Sequence, residues 1–250
     1  MDDIVPRVLA FMSTVELMFV QQVCRSWQRH TAAARSSLIH RLHLGQFWSR
    51  VGVLPDSCFT AIAAQFGAVV DLNLAYCSFL TGPTLLQIVR ALPQPSRLTK
   101  LNLFYCHLLT DDDVEQLLGA KAEQEQLPLL RDLNLGRCNR LTERTVRLLC
   151  ARAPRLQTLN LCHNPAVGEE TLMLMDDLSN FPSLTLLNVM HCARLRMDEI
   201  DELLKAAQAQ GRNAKLHKQG LPSLRVIGPQ ELFQIDKSGK KMRKDIDADT

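Results

Sequence analysis

The sequence predicts an α/β fold: a curved solenoid with a parallel inner sheet and helices outside, preceded by a short helical head. Three observations predict it. A phrase of spaced leucines recurs through most of the 250 residues, and each copy is followed by a helical pattern. Aromatic residues make up only 5% of the chain although 46% of it is apolar, and a core of leucine is typical of stacked repeats.

The repeated phrase reads apolar-x-x-Leu-Asn-apolar-x-x-Cys, with a conservative change in some copies. Successive copies start 26 to 37 residues apart, and five full copies at such spacing do not arise by chance. The full copies and two weaker flanking copies begin at Val69, Leu98, Leu130, Leu156, Leu184, Ile39 and Leu221.

Each phrase contains a short strand. Residues two apart on a strand share a face, so Leu72 and Leu74 should point into the core while Asn73 points the other way. The last position of the phrase turns back into the core, where a small side chain can satisfy a buried backbone group. These structural repeat slots are Cys77, Cys106, Cys138, Asn164 and Cys192.

A helix should follow each strand. Thr110 and Thr142 precede acidic first turns and are predicted to be N-caps, because their hydroxyls accept from free backbone N–H groups and acids favour the positive end of the helix. Asp111, Asp112 and Asp113 could instead be a cation site or an acid–base pair, but their place at a helix start favours capping.

The phrase resembles the cysteine-containing leucine-rich repeat over roughly residues 39–226. The resemblance implies a leucine-rich-repeat solenoid, which we place at residues 38–228. It says little about function, because the same scaffold serves many partners.

Residues 1–37 are predicted to form a helical head of three short helices. Ser13 and Glu16 read as a capping box, and the run from Val23 to Trp27 with the apolar residues before it resembles the F-box. That resemblance implies docking on the Skp adaptor of a cullin ubiquitin ligase, through Ile4, Val5, Leu9, Met12, Leu17 and Trp27. Met1 stands where F-boxes usually carry proline, so we expect a weakened dock; alternatively, the head simply caps the first repeat.

The strand positions that point away from the core predict a partner-binding concave face. Its asparagine row has two interpretations, amides that hydrogen-bond one another along the sheet or amides that contact a partner. Apolar and aromatic residues on and beside this face favour protein binding. The predicted binding residues are Asp71, Asn73, Tyr76, Lys100, Asn102, Phe104, Tyr105, Asp132, Asn134, Asn160, His163, Leu186, Asn188, Met190 and His191.

Other chemistry has weak support. A metal site from Cys162, His163, His191 and Cys192 is disfavoured, because neighbouring strand residues face opposite ways; Cys192 should face the core and Cys162 the solvent. No catalytic motif is present, so we expect neither an enzyme nor a cofactor. A net charge of +3 gives no general reason to expect nucleic acid. Residues 229–250 are expected to be a disordered polar tail.

The sequence therefore predicts a non-catalytic protein-interaction scaffold. In layout it is similar to F-box and repeat subunits of large assemblies such as the nexin–dynein regulatory complex of motile cilia; the alternative is a substrate receptor of a Skp–cullin–F-box ubiquitin ligase. Partners would be other proteins, not nucleic acid or membrane. Eight cysteines without a secretory signal predict a reducing, cytoplasmic location, and the ciliary axoneme if the structural role holds.

Overall fold

The structure is a computed structural model. It describes residues 40–45, 56–119, 127–176, 180–209, 211, 213, 215–216, 219, 224–227, 232–235 and 241–244. The helical head predicted for residues 1–37 lies outside the described residues, together with its capping box and its six expected docking residues Ile4, Val5, Leu9, Met12, Leu17 and Trp27.

One sheet runs through the described part of the chain, with its nine strands side by side in sequence order. The first seven strands are parallel, each is three residues long, and each comes from one copy of the phrase. They are β1 Arg41–His43, β2 Asp71–Asn73, β3 Lys100–Asn102, β4 Asp132–Asn134, β5 Thr158–Asn160, β6 Leu186–Asn188 and β7 Arg225–Ile227.

A helix follows most strands and packs against the helix of the next repeat, so the helices form a second layer. They are α1 Asp56–Ala63, α2 Gly82–Ala91, α3 Asp111–Leu118, α4 Glu143–Arg152, α5 Glu169–Asp176 and α6 Met197–Ala209, with a 3₁₀ turn at Pro95–Arg97. The predicted α/β leucine-rich-repeat solenoid is confirmed by these parallel strands and their helices.

The register explains how the repeats stack. Leu72 of β2 lies opposite Leu101 of β3, which lies opposite Leu133 of β4, and the same position is apolar in all seven parallel strands. The two leucines of each phrase are almost fully buried, as Leu72 and Leu74 show at 0% exposure. Burying such side chains is the main stabilising term of the array. No single repeat can bury them alone, so the repeats have to stack.

The repeat slots satisfy buried backbone carbonyls, as predicted. The Sγ of Cys106 donates to the carbonyl of Leu74 at 3.3 Å, and the Sγ of Cys138 donates to that of Leu103 at 3.3 Å. In the fourth copy the Nδ2 of Asn164 donates to the carbonyl of Leu135 at 2.9 Å. Each slot thus ties one repeat to the repeat before it.

The predicted N-caps are confirmed. Thr110 and Asp113 form a capping box at α3, in which the backbone N–H of Thr110 donates to Asp113 Oδ2 at 2.9 Å. Thr142 caps α4 and accepts from the N–H of Arg144 at 3.2 Å. Asp111 links the two helices, because both the N–H and the hydroxyl of Thr142 donate to its carboxylate at 2.9 and 2.7 Å. Capping is therefore the role of this acidic run.

The C-terminal segment differs from the expectation of a disordered tail over residues 229–250. Leu232–Ile235 forms β8 and Lys241–Lys244 forms β9, both antiparallel, with β8 paired to β7. The physical reason is that β7 offers an unpaired strand edge and the apolar residues Leu232, Phe233 and Ile235 follow close behind it.

Candidate functional site

The open face of the sheet forms a groove of about 580 Å³. Its floor is built from strand residues that point away from the leucine core, which is the consequence of period-two alternation. Nine of the predicted binding residues line it: Asp71, Asn73, Lys100, Asn102, Asp132, Asn134, Asn160, Leu186 and Asn188. Strand alternation also places Thr158 on this face, whereas sequence reasoning did not assign the other residues that line the groove: Arg41, His43, Leu101, Leu133 and Ile227.

One side of the groove carries alternating charges. Lys100 contacts Asp132 at 2.7 Å, and Arg41 lies 3.7 Å from Asp71. These pairs join neighbouring strands across the sheet, but exposed ion pairs stabilise a fold by only about 0–1 kcal/mol. Their charges remain accessible, so this side of the groove presents both signs to a ligand.

The asparagine row is held by local hydrogen bonds and not by the inter-amide bonds that were one interpretation of the sequence. In each repeat the asparagine Oδ1 accepts from the backbone N–H two residues later, as Asn102 does from Phe104 at 3.0 Å and Asn134 from Gly136 at 3.0 Å. The same bond recurs at the other three positions, Asn73, Asn160 and Asn188.

This bond decides which end of the amide faces the groove. Because Oδ1 is turned to its own backbone, the Nδ2 group of each asparagine is left as the donor, and in the fourth copy the side chain of Asn160 also hydrogen-bonds to the Cys162 thiol. The row repeats at the spacing of parallel strands, roughly 4.8 Å. The groove therefore presents a regular line of hydrogen-bond donors.

The remaining predicted residues lie past the strand ends and do not line the groove. They are Tyr76, Phe104, Tyr105, His163, Met190 and His191. They belong to the turns at the carboxyl edge of the sheet. The predicted concave face is thus two surfaces, a groove and an edge.

At that edge, one residue of each turn adopts a left-handed backbone. The φ angles are 64° at Tyr76, 65° at Tyr105, 58° at Arg137, 57° at His163 and 57° at His191. We call these five residues the turn edge. The N–H of Tyr76 donates to the carbonyl of Phe104 at 2.8 Å, and the same bond to the next repeat recurs at Tyr105, Arg137 and His163.

The side chains of the turn edge contact one another. The rings of Tyr76 and Tyr105 have centroids 5.9 Å apart, and Tyr76 meets Phe104 edge-on at 5.4 Å. The imidazoles of His163 and His191 are stacked at 4.3 Å. Desolvation lowers the pKa of His163, and the charges of Arg137 and His191 lower it further. One sequence signal could have revealed this row: a large planar side chain precedes every slot of the five full copies.

Cys162 corrects one expectation. Alternation predicted that it faces solvent, but it is only 7% exposed. The cause is Gly136 in the preceding repeat, which has no side chain: a Cβ there would lie 2.7 Å from Cys162 Sγ and 2.8 Å from the ring of Phe104. Sulfur and ring fill that space, and burial raises the pKa of the Cys162 thiol.

Metal chemistry finds no support at this edge. Cys192 is buried in the core at 1% exposure, as predicted, and its Sγ donates to the carbonyl of Leu161 at 3.2 Å. Among the residues that the structure describes, no three His, Cys, Asp or Glu side chains come together in a way that could hold a metal ion. No helix in the same residues is long and apolar enough to cross a membrane.

No protein-family model and no curated protein matches this sequence. Solved structures do match, among them the following two. A chain in the crystal structure of the Rad7 and Elc1 complex in yeast matches with a TM-score of 0.46 and 17% identity, over 70% of this chain and 56% of that one. The leucine-rich repeat-containing protein LegL7 from Legionella pneumophila matches with a TM-score of 0.48 and 18% identity, over 97% of this chain and 72% of that one.

Proposed function

We propose that this chain is a non-catalytic protein-interaction scaffold whose groove holds a partner protein. The observation that carries the proposal is the line of asparagine side chains on the open face of the sheet, whose oxygens already accept from the backbone and whose Nδ2 groups are donors. Backbone carbonyls and side-chain oxygens of a polypeptide are the acceptors that such donors bind.

The rest of the groove supports a protein ligand. It combines paired charges at one side, Lys100 with Asp132, with apolar groups such as Leu186 and Ile227 at its far end. Protein interfaces combine an apolar patch with a polar rim in this way. The buried slot cysteines also offer no ready nucleophile, because burial raises the pKa of Cys77 to about 12, of Cys138 to about 12 and of Cys192 to about 11.

The test is affinity purification of the full chain followed by mass spectrometry. The variant Asn102→Asp with Asn134→Asp keeps the oxygen that accepts from the backbone but removes two donors from the groove. The control is Arg155→Glu, an exposed residue in the turn that precedes β5. We expect a stoichiometric partner set that the native chain and the control capture and the double variant loses. Identical capture by all three would contradict the use of the groove.

A finer proposal is that the chain is a structural subunit of a large assembly such as the nexin–dynein regulatory complex of motile cilia. It rests on the layout of the sequence, a compact F-box-like head followed by few repeats and a polar C-terminal segment. Dynein and nexin-link proteins in the captured set, and enrichment in salt-extracted axonemes, are the expected results. Both are absent if the chain acts elsewhere in the cytoplasm.

The alternative is a substrate receptor of a Skp–cullin–F-box ubiquitin ligase. The run from Val23 to Trp27 favours it, because that run resembles the F-box. The two proposals differ in one measurement, a pull-down of the purified chain with the Skp adaptor. Tight, stoichiometric capture favours the ligase role, whereas no capture favours the structural role.

A further inference from the structure

We propose that the turn edge is a second binding surface, separate from the groove, and that it takes a short acidic segment of a partner protein that also carries apolar side chains. Three observations support this: the backbone conformation of the turn edge, the exposure of its aromatic residues, and the charge of the turns. It does not depend on the partner that the groove holds.

The backbone conformation is the first observation. A left-handed φ is uncommon for residues other than glycine, asparagine, aspartate and histidine, and it is strained for bulky ones. Three of the five left-handed positions nevertheless carry tyrosine or arginine, and the other two carry histidine. Asparagine or glycine would make the same turn with less strain. The planar side chains are therefore not there to form the turn.

Exposure is the second observation. Tyr76 is 60% exposed and Tyr105 is 38% exposed, and nearby Phe79 is 59% exposed. Tyr76 and Phe79 contribute little to the leucine core, since more than half of their surface faces solvent. Clustered exposed aromatics are typical of protein-binding surfaces, where they supply large contact areas with few rotatable bonds.

Charge is the third observation and defines the partner. The five turns, residues 75–81, 104–110, 136–142, 162–168 and 190–196, contain no aspartate or glutamate, but they contain four arginines and three histidines. Arg137 and Arg140 are both exposed, and neither has a salt bridge within the described ranges. Carboxylates are the natural partners of such guanidinium groups.

Within the described ranges, the acidic residues of the neighbouring helix starts form no salt bridge with Arg137 or Arg140. Asp111 accepts from Thr142, Asp113 accepts from Thr110, and Asp198 pairs with Arg196. The cations of the middle turn are left for an external anion. A segment with carboxylates for Arg137 and Arg140 and an apolar side chain for the tyrosine pair fits both properties of the edge.

The size of the surface sets the length of that segment. From Tyr76 to His191 the turn edge crosses four strand spacings, about 19 Å at roughly 4.8 Å each. An extended polypeptide covers about 3.3 Å per residue. A segment of about six residues is therefore long enough to contact the whole edge.

The test uses the full chain and an array of eight-residue peptides in which Asp or Glu alternates with Phe, Leu or Pro. Matched arrays carry Lys in place of the acids, and a single-stranded oligothymidylate of eight nucleotides is the third probe. We expect the native chain to bind the acidic array, with an affinity that falls as salt is raised. Equal binding to the lysine array, no binding to any peptide, or tighter binding to the oligonucleotide would each overturn the proposal.

The variants separate binding from folding. Tyr76→Asn with Tyr105→Asn removes both rings but keeps residues that tolerate a left-handed backbone, so the fold should be at least as stable as the native one. Binding should weaken by about tenfold or more. Arg137→Glu should weaken it similarly, whereas Arg155→Glu, in a turn at the opposite edge of the sheet, should not.

Melting temperature is the second readout. If the two tyrosines have only a structural role, Tyr76→Asn with Tyr105→Asn should lose stability. Lost stability with unchanged peptide binding would overturn the proposal. The groove variant Asn102→Asp with Asn134→Asp should bind the acidic array as the native chain does. A wrong proposal for the groove and a wrong proposal for the turn edge therefore give different results.

Discussion

The fourth repeat slot allows a sharp test of how the repeats are joined. Asn164 is fully buried, and its Nδ2 donates to the carbonyl of Leu135. Its Oδ1 is also buried but has no hydrogen-bond partner among the described residues. Three other slots, Cys106, Cys138 and Cys192, supply a thiol donor to the same kind of carbonyl without burying an unpaired oxygen. We therefore expect Asn164→Cys to stabilise the protein.

The magnitude follows from the two hydrogen-bonding groups. An unsatisfied buried polar atom costs about 1–3 kcal/mol, so removing the Asn164 oxygen should stabilise the protein. The S–H group of cysteine is a weaker donor than the amide, which offsets part of this stabilisation. The net expectation is about 1 kcal/mol of added stability, which corresponds to a rise in melting temperature of about 2–4 °C for a chain of this size. Asn164→Ala should instead lower stability by about 2 kcal/mol, because it leaves the Leu135 carbonyl unpaired and a cavity beside it.

Urea titration followed by far-UV circular dichroism measures both effects, read as midpoints at an unchanged slope. Cys138→Asn is the matched control: it makes the reverse exchange in the neighbouring slot and should cost about 1 kcal/mol. If Asn164→Cys is as unstable as Asn164→Ala, the reasoning is refuted, since the amide oxygen would then have a stabilising role.

Three further outcomes are expected. Burial raises the pKa of Asp111, but hydrogen bonds from Thr142 and Thr145 lower it overall. Asp111→Asn should therefore lower the free energy of unfolding by about 1 kcal/mol at pH 7, and progressively less in urea titrations below pH 4. Because burial raises the pKa of Cys138 to about 12, its contribution to stability is full below pH 9 and is lost as pH rises towards 12. Among the described cysteines, iodoacetamide at pH 8 should modify half-buried Cys58 and Cys150 before the buried slot cysteines, as read by mass spectrometry. Gly136→Ala should lower the free energy of unfolding by about 1–3 kcal/mol through overpacking, and an unchanged urea midpoint would show that the neighbouring side chains move aside at no cost.

The repeats could be predicted from the sequence because one local rule, repeated five times, also sets the long-range contacts. Two leucines at spacing two define a strand face, and stacking then requires Leu72, Leu101 and Leu133 to lie in register. The repeat slots and the N-caps were predictable for the same reason, because each satisfies a backbone group whose position the repeat fixes.

The candidate sites were less predictable because they depend on what lies beside each residue. Cys162 points outward as its alternation predicts, but it is covered, and only the missing side chain of Gly136 in another repeat explains this. The asparagine row was correctly placed, whereas its bonding was not, because a strand of three residues ends soon enough for Asn102 to reach the N–H of Phe104. The C-terminal strands were missed since an open strand edge at β7 is a property of the folded sheet.

The outermost strand of the described sheet has a consequence for how copies of this chain behave together. β9 reads Lys241, Met242, Arg243 and Lys244, so three of its four residues are cationic. A second copy approaching along that border would bring like charges side by side, which is unfavourable. Pairing of two copies through their β9 strands is thus discouraged, and this repulsion weakens as ionic strength rises.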